Sequence, residues 1–137
     1  GKVDTSFLTV EPVEVPSLTK GEYRYDFGDS GCITPLFKMY TLGHDFTPNA
    51  VHAGGLRYHG MNPLVSELYH NKTISAVSYT ENQIFQAAVT FARTEGIIPA
   101  PESSHAISGA IELAIDAKKK NEETTIVFNL SCHGLLD

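Results

Sequence analysis

Residues 80–130, TENQIFQAAVTFARTEGIIPAPESSHAISGAIELAIDAKKKNEETTIVFNL, carry the pattern from which the fold class is read. Thr80-Glu81-Asn82-Gln83 has the S/T-x-x-E/Q form, in which a hydroxyl caps an amide of the first helical turn while the fourth residue reaches back. Ile84, Phe85, Ala88, Phe91 and Ala92 then recur at helical spacing, which predicts an amphipathic helix closing at Gly96. A short extended piece, Ile97-Ile98-Pro99-Ala100, leads to a second predicted helix. Ser103 or Ser104 caps it, Ile107, Ala110, Ile111 and Ala114 form its inner face, and Asn121 stops it. Thr124 to Leu130 is β-branched and uninterrupted and reads as a buried strand, with Ile74 to Tyr79 an earlier one. Strand, helix, helix, strand is the alternation of an α/β protein with a mostly parallel sheet.

In open sheets of that kind, ligands sit beyond the carboxyl ends of the strands, where Ser131-Cys132-His133-Gly134 falls. A thiol beside an imidazole invites a catalytic dyad, but neighbours in an extended chain point to opposite faces, so adjacency works against the contact that activation needs. A buried thiol beside a loop histidine is the plainer reading. Glu102 lies at a strand-to-helix turn on the same side of the predicted sheet, either as a site carboxylate or as an acid favouring the helix dipole. The segment His52-Ala53-Gly54-Gly55-Leu56-Arg57 offers backbone that can approach an anion and a guanidinium fork, or is simply a flexible turn.

The first 60 residues are less regular. Phe7 to Val10 reads as a strand, a proline-broken stretch follows, and Asn62-Pro63 opens a short helix with Asn71 as its stop. With 137 residues the chain is expected to form one domain over 1–137. Its 42% hydrophobic and 19% charged residues are ordinary for a soluble protein, and no apolar run approaches the roughly 20 residues that span a bilayer. No secretory signal is evident, so a cytoplasmic location is expected. A net charge of −6 speaks against a nucleic-acid surface. The one basic run, Lys118-Lys119-Lys120, suits a helix end. Cys32 and Cys132 show no C-x-x-C spacing, and the histidines form no H-E-x-x-H pattern, so no metal site is expected.

Four stretches, KMYTLGHDF (38–46), HAGGLRYHG (52–60), FARTEGIIPAPESSHAI (91–107) and FNLSCHG (128–134), with LTKGEYRYDFGD (18–29), together resemble the C-terminal portion of a tryptophan synthase beta chain of the second, longer type. The resemblance runs along essentially the whole chain. It implies a partial, C-terminal piece of a three-layer αβα enzyme of pyridoxal-phosphate fold type II, a homodimer in the parent protein. The implied reaction condenses L-serine with indole to L-tryptophan. By matching position, Ser131 would hydrogen-bond the cofactor's pyridine nitrogen, with Gly134 in the same cofactor-binding stretch. Glu102 would be the catalytic carboxylate beside the ring, Arg57 would lie on the substrate side, and Glu11 would belong to a monovalent-cation region. A hydroxyl can donate to a neutral ring nitrogen without protonating it, so Ser131 would tune the cofactor's chemistry.

Two departures accompany the resemblance. Where the family typically has Ser-Gly-His-Gly, this chain has a side chain at Cys132. The Schiff-base lysine and the glycine-rich phosphate cup also lie N-terminal to the matching region. Lys2, Lys20, Lys38, Lys72 and Lys118 to Lys120 are not in that lysine's motif, so the chain alone is expected to be inactive. The competing expectations are a non-catalytic binding or oligomerisation module derived from the same fold and, behind it, a cysteine-dependent enzyme using Cys132 and His133.

Overall fold

The computed structural model describes residues 4–136; Lys2 and Asp137 lie outside them. The chain forms two compact units, one comprising residues up to 51 together with 56–78, the other residues 52–55 together with those from 79 onward. Helices and strands are mixed, as the α/β reading expects.

The first unit holds β1 (Leu8–Pro12), α1 (Ser17–Lys20), β2 (Glu22–Phe27), β3 (Leu36–Thr41), α2 (Pro63–His70) and β4 (Ser75–Tyr79), whose last residue counts with the second unit. β1 and β4 form a two-stranded parallel sheet, begun by the Ser75 amide donating to the Phe7 carbonyl at 3.0 Å. β2 and β3 form an antiparallel ribbon in register from Glu22↔Thr41 to Phe27↔Leu36. The start of α2 is set by chemistry visible in the sequence. The Asn62 side chain accepts from the Leu64 amide at 2.9 Å, Pro63 occupies the first turn, and Asn71 ends the helix. A buried serine, Ser66, lets α2 lie close to β3 and accepts the Tyr40 amide at 3.0 Å. Beside it Tyr23 stacks on Tyr40 and on His70, with ring centroids 5.1 and 4.2 Å apart.

In the second unit α3 (Glu81–Glu95) packs against α4 (Pro101–Lys120). The capping box forms as the sequence predicts, with Thr80 and Gln83 exchanging hydrogen bonds, and Gly96 closes α3 in the left-handed conformation at φ 71°. Ile84, Ala87 and Ile107 are buried, and the small residues Ser104, Ser108 and Gly109 are buried along the first half of α4. Asn121 stops α4 as expected, also left-handed.

Three expectations are corrected. α4 begins two residues before Ser103, with Ala100 at its N-cap, because Pro101 arrives with its φ already helical and no amide to satisfy. Ser104 therefore turns back to donate to the Ala100 carbonyl at 2.8 Å instead of capping. Ala114 is exposed, so the predicted inner face is covered only along its first half. The stretch from Thr124 to Leu130 is not a strand: Val127 is 90% exposed, and no ladder forms along it among the described residues. β-branched composition supplies the propensity, but a strand exists only where its amides find a neighbouring chain. No helix among the described residues is long and apolar enough to cross a membrane.

Candidate functional site

The expected site residues fall in both units, and each group has its own local logic. In the second unit the segment 131–134 doubles back along 98–100. Pro99 and His133 form an antiparallel bridge, the Gly134 amide donates to the Ile98 carbonyl at 2.8 Å, and the Ala100 amide donates to the Cys132 carbonyl at 3.4 Å. Gly134 is where this approach is tightest. A Cβ there would lie 2.6 Å from the Pro99 carbonyl oxygen and 2.8 Å from Ile98 Cγ2, closer than any side chain tolerates.

Ser103, buried in the first turn of α4, ties the segment to the helix. Its hydroxyl accepts the Ser131 and Cys132 amides at 3.3 and 3.4 Å and lies 3.4 Å from the Ser131 hydroxyl. Ser131 itself is exposed, so its hydroxyl remains reachable from solvent. The residue next to Ser103 is Glu102, whose Oε1 accepts the Gly55 amide at 2.8 Å. Ser131 and Gly134 thus lie against the residues that lead into and open α4, the helix whose first turn carries Glu102.

The Cys132–His133 dyad does not form. His133 Nδ1 accepts the Leu135 amide at 3.2 Å, which commits that ring nitrogen to the short turn after it. Cys132 is exposed, correcting the expectation of a buried thiol. Cys32 is likewise free and exposed.

Arg57 and Glu11 belong to the first unit. Arg57 is exposed, and its guanidinium donates to the Pro48 carbonyl at 3.3 Å. Glu11 is only 4% exposed and is fully occupied by backbone and hydroxyl donors. Its oxygens accept the Leu18 and Thr19 amides at 2.9 and 2.8 Å, and the Thr19 hydroxyl at 2.6 Å. This carboxylate caps α1 from six residues before the helix, where Pro16 has no side-chain acceptor to offer. Among the described residues no group of three or more histidine, cysteine, aspartate or glutamate side chains could hold a metal ion.

Sequence reasoning missed a buried charge in the same unit. Asp26 is 2% exposed and is surrounded by Thr41 Oγ1 at 2.7 Å, His44 Nδ1 at 2.8 Å, its neighbour's amide at 2.9 Å and the Arg24 guanidinium at 3.3 Å. Burial works to raise its pKa, but the hydrogen bonds from Thr41, His44 and Phe27, with the Arg24 charge, hold it at about 2. The signal was available: in a strand, Arg24 and Asp26 share a face by period two. A separate cleft of about 580 Å³ in the first unit is lined by Phe7, Tyr40, Tyr69, His70 and Lys72 among others, and none of the expected site residues lines it.

Fold and local geometry together give an α/β chain in which Ser131 is tied to the first turn of a helix that also carries Glu102. The comparisons with known proteins say what the chain is similar to. The chain is 62% identical over 136 residues to a tryptophan synthase beta chain 2 of Aquifex aeolicus (strain VF5), matching 99% of this chain and 31% of that protein. It is 61% identical over 137 residues to a protein of the same name from Methanosarcina mazei, covering 100% of this chain and 31% of the relative. Against a tryptophan synthase beta chain of Pyrococcus horikoshii it is 53% identical over 137 residues, 30% of that protein. No family model matches the chain. Relatives named tryptophan synthase beta chain thus match the whole of this chain, and the chain spans about 31% of the length of the first two.

Proposed function

We propose that this chain is part of an enzyme that joins L-serine to indole, releasing water and L-tryptophan, with pyridoxal phosphate as its cofactor. The observation that carries the reading is the tie between Ser131 and Ser103, the residue that follows Glu102 on the same helix turn, in a chain whose relatives bear that name. The residues suit the cofactor by their chemistry. Ser131 presents an exposed neutral hydroxyl, held in place by Ser103, which can donate to an uncharged pyridine nitrogen without transferring a proton. When bound, pyridoxal phosphate supplies the electron sink that makes bonds at an amino acid's α-carbon labile.

The chain's own residues contribute orientation and charge. Ser131 would donate a hydrogen bond to the ring nitrogen, and Gly134 keeps its own backbone close to residues 98–99. Glu102 would hold its carboxylate, fixed by the Gly55 amide, beside the ring. Arg57 stands on the substrate side in this reading. Glu11 contributes as the α1 cap rather than as a cation ligand, since its near oxygens already hold protein donors. In this reading none of the lysines of these 137 residues carries the cofactor, and the chain alone is expected not to turn over.

The test is Ser131→Asp in a full-length protein carrying this segment. A carboxylate there would stabilise a ring nitrogen that has taken a proton from solvent, so the bound cofactor's absorbance should shift and tryptophan formation should fall. Unchanged absorbance and turnover would overturn the role given to Ser131. Borohydride treatment of the 137-residue chain with pyridoxal phosphate should leave no adduct on one specific lysine.

A further inference from the structure

The segment that reaches Glu102 is itself held from behind, by a contact remote from the residues assigned above. The His52 amide and His52 Nδ1 both meet Oε1 of Glu81, at 2.7 and 3.0 Å, and the His52 ring packs edge-on against Phe85 with centroids 5.8 Å apart. Glu81 and Phe85 lie one turn apart on α3, so the helix presents a carboxylate and a ring as a two-point seat for one histidine. The Glu81 carboxyl is held below the ordinary carboxylate range, first by the His52 amide and then by the His52 ring. Ala53, next in the chain, is completely buried, and the Gly54 amide folds back onto the His52 carbonyl at 3.0 Å. Two residues beyond this anchored point, the Gly55 amide meets Glu102.

We infer that His52 and Glu81 are positioning residues: their contact on α3 fixes the 52–55 segment so that the Gly55 N–H holds the Glu102 carboxylate in one place. The spacing leaves little slack. From the seated His52 to the donor at Gly55 there are only two intervening residues, one buried and one turned back on itself. On the far side, a Cβ at Gly55 would lie 3.1 Å from Glu102 Oε1 and 3.3 Å from its Cγ, so the loop's backbone touches the carboxylate along its length and not through the hydrogen bond alone. Glu102 is therefore placed by two helices at once: α4 carries it, and α3 sets the donor that aims it. This inference rests on the reading of Glu102 as the carboxylate beside the cofactor only for its functional meaning, not for its geometry.

The experiment is amide hydrogen exchange at Gly55, read with the Glu102 side-chain carboxyl carbon by NMR, in the chain and its Glu81 variants. Glu81→Ala should speed Gly55 exchange about tenfold and move the Glu102 carboxyl resonance, because the segment loses its seat. Glu81→Gln retains an oxygen for the His52 amide and should restore most of both signals. The Phe91 amide, farther along α3, serves as the control that the helix is intact. Gly55 exchange unchanged in Glu81→Ala, or no restoration by Glu81→Gln, would overturn the inference. In a full-length protein, Glu102→Gln tests the assignment of Glu102 itself. A Glu102→Gln variant with normal turnover would defeat that assignment and leave the exchange result standing, so the two can fail separately.

Discussion

Replacing Glu11 separates two roles that its position could support. In the structure this buried carboxylate accepts the second and third amides of α1, from Leu18 and Thr19, and the Thr19 hydroxyl. Those are the donors that an N-cap side chain would normally satisfy, and Pro16 at that position cannot. Glu11→Ala removes every one of these acceptors from a site with almost no solvent. Hydrogen bonds to a charged group contribute about 1.5–3 kcal/mol, and orphaned buried donors cost about 1–3 kcal/mol each. Because the contributions overlap, a loss of about 3–5 kcal/mol follows. Glu11→Gln keeps one carbonyl oxygen but places an NH₂ against the remaining donors, and should lose about 2 kcal/mol. Urea unfolding followed by circular dichroism measures both. If Glu11 caps the helix, the differences between variants are the same in sodium, potassium and a bulky organic cation. A Glu11→Ala chain within about 1 kcal/mol of the parent would refute the capping argument. A stabilisation of the parent by potassium that vanishes in Glu11→Gln would restore the cation-region role.

Two further perturbations address the neighbouring features. Asp26 titrates at about 2 in the folded chain against an ordinary value of 3.8. Its contribution is therefore complete above the ordinary value and is lost as pH falls through the folded one. Asp26→Asn should flatten the stability profile between about pH 4 and pH 2, measured by urea unfolding at each pH, and an unchanged profile would refute the buried charge cluster. Gly134→Ala forces a Cβ onto the Pro99 carbonyl, so it should cost about 2 kcal/mol and release the Gly134 amide from Ile98, seen as faster exchange at that amide.

Much of the helical framework was legible because each terminus has a local chemical cause. Asn62 with Pro63, Thr80 with Gln83, Gly96 and Asn121 act through their own backbone and nearest neighbours, so the sequence contains the whole interaction. The start of α4 was misplaced because two good capping residues, Ser103 and Ser104, stand just inside a proline that had already begun the helix. The apolar run 124–130 misled for a different reason: its strand propensity is local, but its ladder partner is not. Asp26 was overlooked since its partners Thr41 and His44 are 15 and 18 residues away in sequence, and the strand register, which sets Asp26 opposite Phe37, does not by itself name them. The hydroxyl that ties Ser131 to α4, that of Ser103, reads in the sequence as a helix cap.

That hydroxyl also bears on the departure at Cys132, where a side chain occupies a position usually bare. The two glycine-like demands on a turn, a left-handed backbone and close approach, can be examined separately in 131–134. Cys132 is not among the non-glycine residues of positive φ, which among the described residues are Cys32, Lys72 and Asn121, so its backbone does not call for glycine. Its amide is bound to Ser103 and its carbonyl faces the Ala100 amide, and the residue as a whole is exposed, so the thiol adds no demand for space inside the turn. Close approach is instead concentrated two residues later, where Gly134 lies against Pro99 and Ile98. The turn therefore tolerates a Cβ at 132 and not at 134.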